Sequence, residues 1–119
     1  MTSHLGFVLA DLLDIYGTSA VDAIASGISS GKLSPDLASH TLRWLGRLNH
    51  PNSFRGRLWL LEHSLLSPSP VIRDGGALGL AALGSPSGLP SLRAAIERER
   101  FPELRKDMEQ VVRFLERRR

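Results

Sequence analysis

Four histidines, His4, His40, His50 and His63, are the side chains best suited to proton transfer or metal ligation. No two stand four residues apart, and none belongs to a His-Glu-x-x-His pattern. A pair of imidazoles facing one metal ion is therefore not encoded locally, and the absence of cysteine removes thiolate zinc sites, disulfides and cysteine nucleophiles. Glu62 and His63 are neighbours in sequence, which points them about 100° apart on a helix. Ser39-His40 joins a hydroxyl to an imidazole, but no Gly-x-Ser-x-Gly elbow and no strand exist to present it. The glycines between Gly75 and Gly79 are not followed by Gly-Lys-Ser/Thr, so no phosphate-cradling loop is read there. Glu97, Glu99, Glu103, Asp107 and Glu109 interleave with Arg98, Arg100, Arg105 and Lys106. That mixture marks a solvated face laced with weak ion pairs rather than paired catalytic carboxylates. The expectation is a non-enzymatic protein with no catalytic residue, no metal and no cofactor.

One cluster does suggest recognition. His40, Arg43 and Arg47 follow one another at near-helical spacing, and Arg55 and Arg57 come after the turn at His50-Pro51-Asn52. Such a basic face suits an acidic protein, or the phosphates of a nucleic acid as the second choice. Trp44 and Trp59 are expected to pack between the third and fourth helices, which leaves no aromatic platform for unpaired bases.

The elements that must carry these residues are helical. The chain has 119 residues, a formal charge of +3 and 42% hydrophobic residues, one domain's worth of ordinary globular sequence. Residues 1–31 hold Asp11, Asp14 and Asp22 without a basic residue, whereas 32–61 hold five cations against Asp36 alone. The start is acidic and the middle basic. Ser34-Pro35, Ser69-Pro70 and Ser85-Pro86 each place a capping hydroxyl before a proline suited to a first helical turn. Between these marks apolar residues recur at helical spacing, as in Leu37, Thr41, Leu45 and Leu48, or Leu104, Met108, Val112 and Leu115. Seven helices are predicted, at about 4–16, 19–30, 35–48, 53–66, 70–83, 88–99 and 102–117. Nothing at Met1-Thr2-Ser3-His4 reads as a secretory signal, so a cytoplasmic address is expected. The uncharged stretch from Gly75 to Leu92 is interrupted by Pro86 and Pro90 and does not read as a membrane span.

The chain repeats itself. A shift of 35 residues lays Leu37, Leu45 and Leu48 on Ile72, Leu80 and Leu83, and a further shift of 32 lays Pro70, Ile72, Arg73, Leu80 and Leu83 on Pro102, Leu104, Arg105, Val112 and Leu115. Two helices per unit at this period predict stacked hairpins, since one hairpin cannot bury its own apolar face. The run from Ile72-Arg73-Asp74 through Leu83-Gly84-Ser85-Pro86 to Leu89-Pro90-Ser91-Leu92 resembles a HEAT repeat of the short bacterial kind found in phycobilin-lyase-like proteins. Leu37–Pro51 resembles the first half of another repeat and Pro102–Leu115 a third that stops after one helix.

The resemblance implies an all-α, right-handed, armadillo-like solenoid of about three HEAT-like hairpins forming one domain over residues 1–119. Its parts would be a degenerate hairpin at 1–31, repeats at 35–66 and 70–99, and a half repeat at 102–117. It also implies a binding scaffold, with nucleic-acid backbone binding and accessory service to a pigment lyase as alternatives; the small size of the chain suggests an adaptor or neutralising partner. Gly75, Gly76 and Gly79 within one helix cost about 3 kcal/mol together relative to alanine. That cost implies either close backbone approach or a weak, mobile helix. At the far end Val111 and Phe114 fall off the expected core stripe, making an apolar spot for a second copy or another protein.

Overall fold

The computed structural model describes residues 4–118. Among them are seven α-helices and no strand: α1 (His4–Tyr16), α2 (Thr18–Ser29), α3 (Pro35–Arg47), α4 (Phe54–Ser64), α5 (Pro70–Leu83), α6 (Leu89–Arg98) and α7 (Pro102–Glu116). The serine-proline marks act as expected, as helix starts or as the turn leading into one. Ser34 Oγ accepts from the Leu37 amide (3.2 Å) and Ser69 Oγ from the Ile72 amide (3.4 Å), which starts α3 and α5. Ser85 instead accepts from Ser87 (3.2 Å) and opens a single 3-10 turn at Pro86–Gly88, so α6 begins one residue later than predicted. A similar turn at Pro51–Ser53 precedes α4. Gly84, at φ 71°, ends α5 in the left-handed conformation that glycine adopts without strain.

The odd-numbered helices pack in succession, α1 on α3, α3 on α5 and α5 on α7, while α2 packs on α4. One hydrophobic cluster runs through every helix, from Leu13 and Val21 through Leu42, Leu45, Leu61 and Leu80 to Leu92, Met108 and Leu115. The α3–α5 contact is the most extensive, and glycine makes it so. A Cβ on Gly46 would fall on the Gly79 carbonyl oxygen, 2.7 Å from its carbon. One on Gly75 would lie 2.6 Å from Ser39 Cα, and one on Gly79 2.6 Å from the Leu42 carbonyl oxygen. The helices meet backbone to backbone, which answers the sequence-level alternative in favour of close approach.

Register differs from expectation in several helices, α3 and α7 among them. In α3 the buried face is Ala38, Thr41, Leu42 and Leu45, so Leu37 turns outward. In α7 it is Leu104, Met108, Val111 and Leu115. Spacings of four, three and four keep that stripe straight along the helix, so Val111 belongs to the core and is only 6% exposed.

Candidate functional site

Arg57, assigned by sequence to the basic face, is 2% exposed and belongs to the interior. Its Nη1 donates to the carbonyls of Leu45 (2.6 Å) and Leu48 (2.8 Å), its Nη2 to that of His50 (2.9 Å), and its Nε to Ser53 Oγ (2.9 Å). The guanidinium thus satisfies carbonyls that the C-terminus of α3 leaves open, where a cation also complements the helix dipole. Burial pulls its pKa down.

Of the other four predicted residues, His40, Arg43 and Arg47 lie along α3 and Arg55 on α4. His40 is exposed on α3, with Nδ1 3.4 Å from Arg43 Nη2. Arg43 is half-buried, its Nε enclosed without a hydrogen-bond partner. Asp74 on α5 has its pKa raised by burial and by Asp107 of α7, against a smaller lowering by Arg43. Arg43 therefore acts against a carboxylate of its own chain. Arg47 is exposed, its guanidinium 5.1 Å from the Trp44 ring centroid. Arg55 is exposed on α4, one turn before Trp59. The apolar spot at the C-terminal end dissolves: Val111 is in the core, and Phe114, 38% exposed, lies 5.6 Å beneath the Arg118 guanidinium.

A Ser-His-Asp set does assemble, though not from the Ser39-His40 pair. Ser53 Oγ is 2.8 Å from His50 Nδ1, and His50 Nε2 is 3.5 Å from Asp14 Oδ1. Ser53 is completely buried, and its Oγ also accepts from Arg57 and lies 3.1 Å from the His50 carbonyl. A nucleophile must reach a substrate carbonyl, and this hydroxyl is spent on closing the turn before α4. No group of three metal-ligating side chains is present among the described residues.

An apolar surface suited to recognition lies between α2 and α4. A groove of about 530 Å³ is lined by Ala25 and Ile28 of α2, Trp59, Leu60 and His63 of α4, and Leu66 beyond it. Trp59 does not pack between α3 and α4 as expected. It is more than half exposed and stacks on His63, with ring centroids 4.9 Å apart and planes within 8°. The groove continues past Leu66 and Ser67, which also line a second hollow of about 400 Å³ bounded by Arg98, Arg100 and Phe101. Leu66 and Phe101 are, like Trp59, more than half exposed.

Beneath that second hollow Arg73 grips Glu99 with two hydrogen bonds (2.8 and 3.1 Å) and donates to the Ser67 carbonyl (2.8 Å). The Phe101 amide donates to the same carboxylate (3.2 Å). These donors, the Arg73 hydrogen bond first, hold the Glu99 pKa below the usual carboxylate value against the opposing effect of burial.

Sequence reasoning missed Trp59, His63, Leu66, Phe101, Arg98 and Arg100 as a set. The signal for part of it was present: Arg55, Trp59 and His63 are spaced four apart, off the stripe of Leu61 and Leu65. No family model, curated protein or solved structure matches this chain.

Proposed function

We propose that this chain is a non-enzymatic protein-interaction module, built as a short right-handed, HEAT-like solenoid, whose docking surface is the α2–α4 groove. The observation that carries the reading is Trp59. A tryptophan more than half exposed and stacked flat on an imidazole is held in a fixed orientation at the wall of an apolar groove. Aromatic anchors of this type dominate protein recognition surfaces. Support for the solenoid comes from the succession of α1, α3, α5 and α7 and from two serine-proline helix starts 35 residues apart. The nucleic-acid reading loses Arg57 to the core and leaves Arg55 on a different helix from Arg43 and Arg47.

Selection of a displayed peptide library on the immobilised chain tests the reading. Selected peptides should bind with a change in tryptophan fluorescence, and Trp59→Ala should weaken them at least tenfold while the helical circular dichroism stays unchanged. Recovery of the same peptides by wild type and Trp59→Ala with equal affinity would refute the groove. Salt-sensitive binding of DNA or RNA in its place would move the assignment to a phosphate binder.

A further inference from the structure

The groove and the hollow beyond it adjoin at Leu66 and Ser67 and make a channel that is apolar at one end and rich in charged side chains at the other. Among the described residues Glu99 is the only carboxylate lining either part, and Arg73 and the Phe101 amide occupy both of its oxygens. Arg98 and Arg100, at the same end, take part in no ion pair among the described residues. Arg55 lines neither part, but it is exposed one helical turn from Trp59. The channel is therefore suited to an apolar segment that carries negative charge.

This chain presents such a segment. Along α1 the core side is Gly6, Leu9 and Leu13, and the opposite side exposes Phe7, Val8, Asp11, Asp14 and Ile15 at helical spacing. Phe7 and Ile15 are among the most exposed large apolar side chains of the molecule, and no Lys or Arg occurs before Lys32. Contacts with α2 and α3 occupy the other side of α1; among the described residues Asp14, at the edge of the exposed face, meets His50 of its own chain (3.5 Å), while Phe7, Val8, Asp11 and Ile15 stay exposed. α7, by contrast, shows solvent mainly charged residues with Phe114 alone among them, and offers a second copy little apolar surface.

We infer that the exposed acidic and apolar face of α1 seats in the basic-rimmed channel of a second copy, and reciprocally, to give a two-fold dimer. This rests on the groove being the docking surface and names its occupant. Reciprocity follows from size. The 13 residues of α1 span about 20 Å, so a single seating of this one short helix is small beside the roughly 1,200 Å² or more that a stable interface buries. Two seatings related by a two-fold axis double the buried surface.

Sedimentation equilibrium on the whole chain, from micromolar to millimolar concentration, tests the inference through charge exchange. Wild type should be a dimer that dissociates on dilution. The pair Asp11→Arg and Asp14→Arg should weaken it at least tenfold, as should the pair Arg98→Glu and Arg100→Glu, with circular dichroism confirming that each variant stays folded. All four changes in one chain should restore dimerisation to within about threefold of wild type, because the charges again face their opposites. A monomeric wild type at millimolar concentration overturns the inference, as does a dimer that ignores either pair or that the fourfold exchange does not restore. Selected peptides that still bind a monomeric chain through Trp59 would leave the groove reading in place and remove only the second copy as its occupant. Failure of Trp59-dependent peptide binding as well would remove both.

Discussion

Replacing glycine by alanine in a helix interior ordinarily stabilises it by about 0.8 to 1 kcal/mol, through reduced unfolded-state freedom and better propensity. In this molecule the same substitution should change sign with position. At Gly56, within α4, the new methyl would sit 3.6 Å from Val21 Cγ1, an ordinary contact. Gly56→Ala should therefore gain most of that increment. At Gly46 the methyl meets the Gly79 carbonyl oxygen and lies 2.9 Å from Gly79 Cα. Neither neighbour is a side chain that can rotate away. Relief requires α3 and α5 to separate by about 1 Å, which forfeits a quarter to a half of the dispersion well for each contact along the seam. Overpacking typically costs about 1 to 3 kcal/mol, and backbone against backbone belongs at the upper end. After crediting the propensity gain, Gly46→Ala should lose about 2 kcal/mol. Urea unfolding followed at 222 nm resolves both effects, provided the slope with denaturant is unchanged. A Gly46→Ala protein as stable as wild type would refute the backbone contact, and a destabilised Gly56→Ala would refute the packing assigned to α4.

Arg57→Met should cost about 3 kcal/mol or more, because it strands the buried carbonyls of Leu45 and Leu48 at about 1 to 3 kcal/mol each; Arg47→Met, at an exposed site, should change stability by less than about 0.5 kcal/mol in the same assay. Glu99→Gln should lose stability at pH 7. The folded pKa of Glu99 is depressed, so its contribution is complete above the unfolded value of about 4.3 and disappears as pH falls through the folded one. The gap between variant and wild type in urea midpoints should close in acid. Asp74→Asn has the opposite sign: a raised folded pKa means that the carboxylate opposes folding once ionised, so the variant should be more stable at pH 7, with the difference vanishing below about pH 3.9.

Much of the fold was legible because it rests on local chemistry. Ser34 and Ser69 announce α3 and α5, and Gly84 ends α5. The stripe in α7 was nearly right, and its slip from Val111 to Val112 moved one residue across the core margin. Arg57 was misread because a charge in sequence carries no sign of whether it faces water or a helix end. Arg57 looks like its neighbour Arg55 until the carbonyls of Leu45, Leu48 and His50 are placed around it. Trp59 was misread for the converse reason: size and apolarity favour the interior, but Leu60 and Leu61 already fill α4's core side and rotate the indole outward. The channel was hidden since Trp59, Leu66 and Phe101 come from separate stretches that only the packing of hairpins aligns.

The glycine seam between α3 and α5 has a consequence for how the chain folds. Gly46 and Gly79 are 33 positions apart, and their contact leaves no gap for water or for a half-formed arrangement. Loop closure over that distance must precede any gain from the seam, so α4 has to turn back before α5 can dock. Once docked, the central pair is the place where opening exposes the most, and its amides should be the last to exchange with solvent. α1 and α2 attach to that centre through far fewer neighbours and can open while it persists. The molecule is then organised around a tightly closed middle, and the amides of its N-terminal hairpin should exchange before those of the α3–α5 pair.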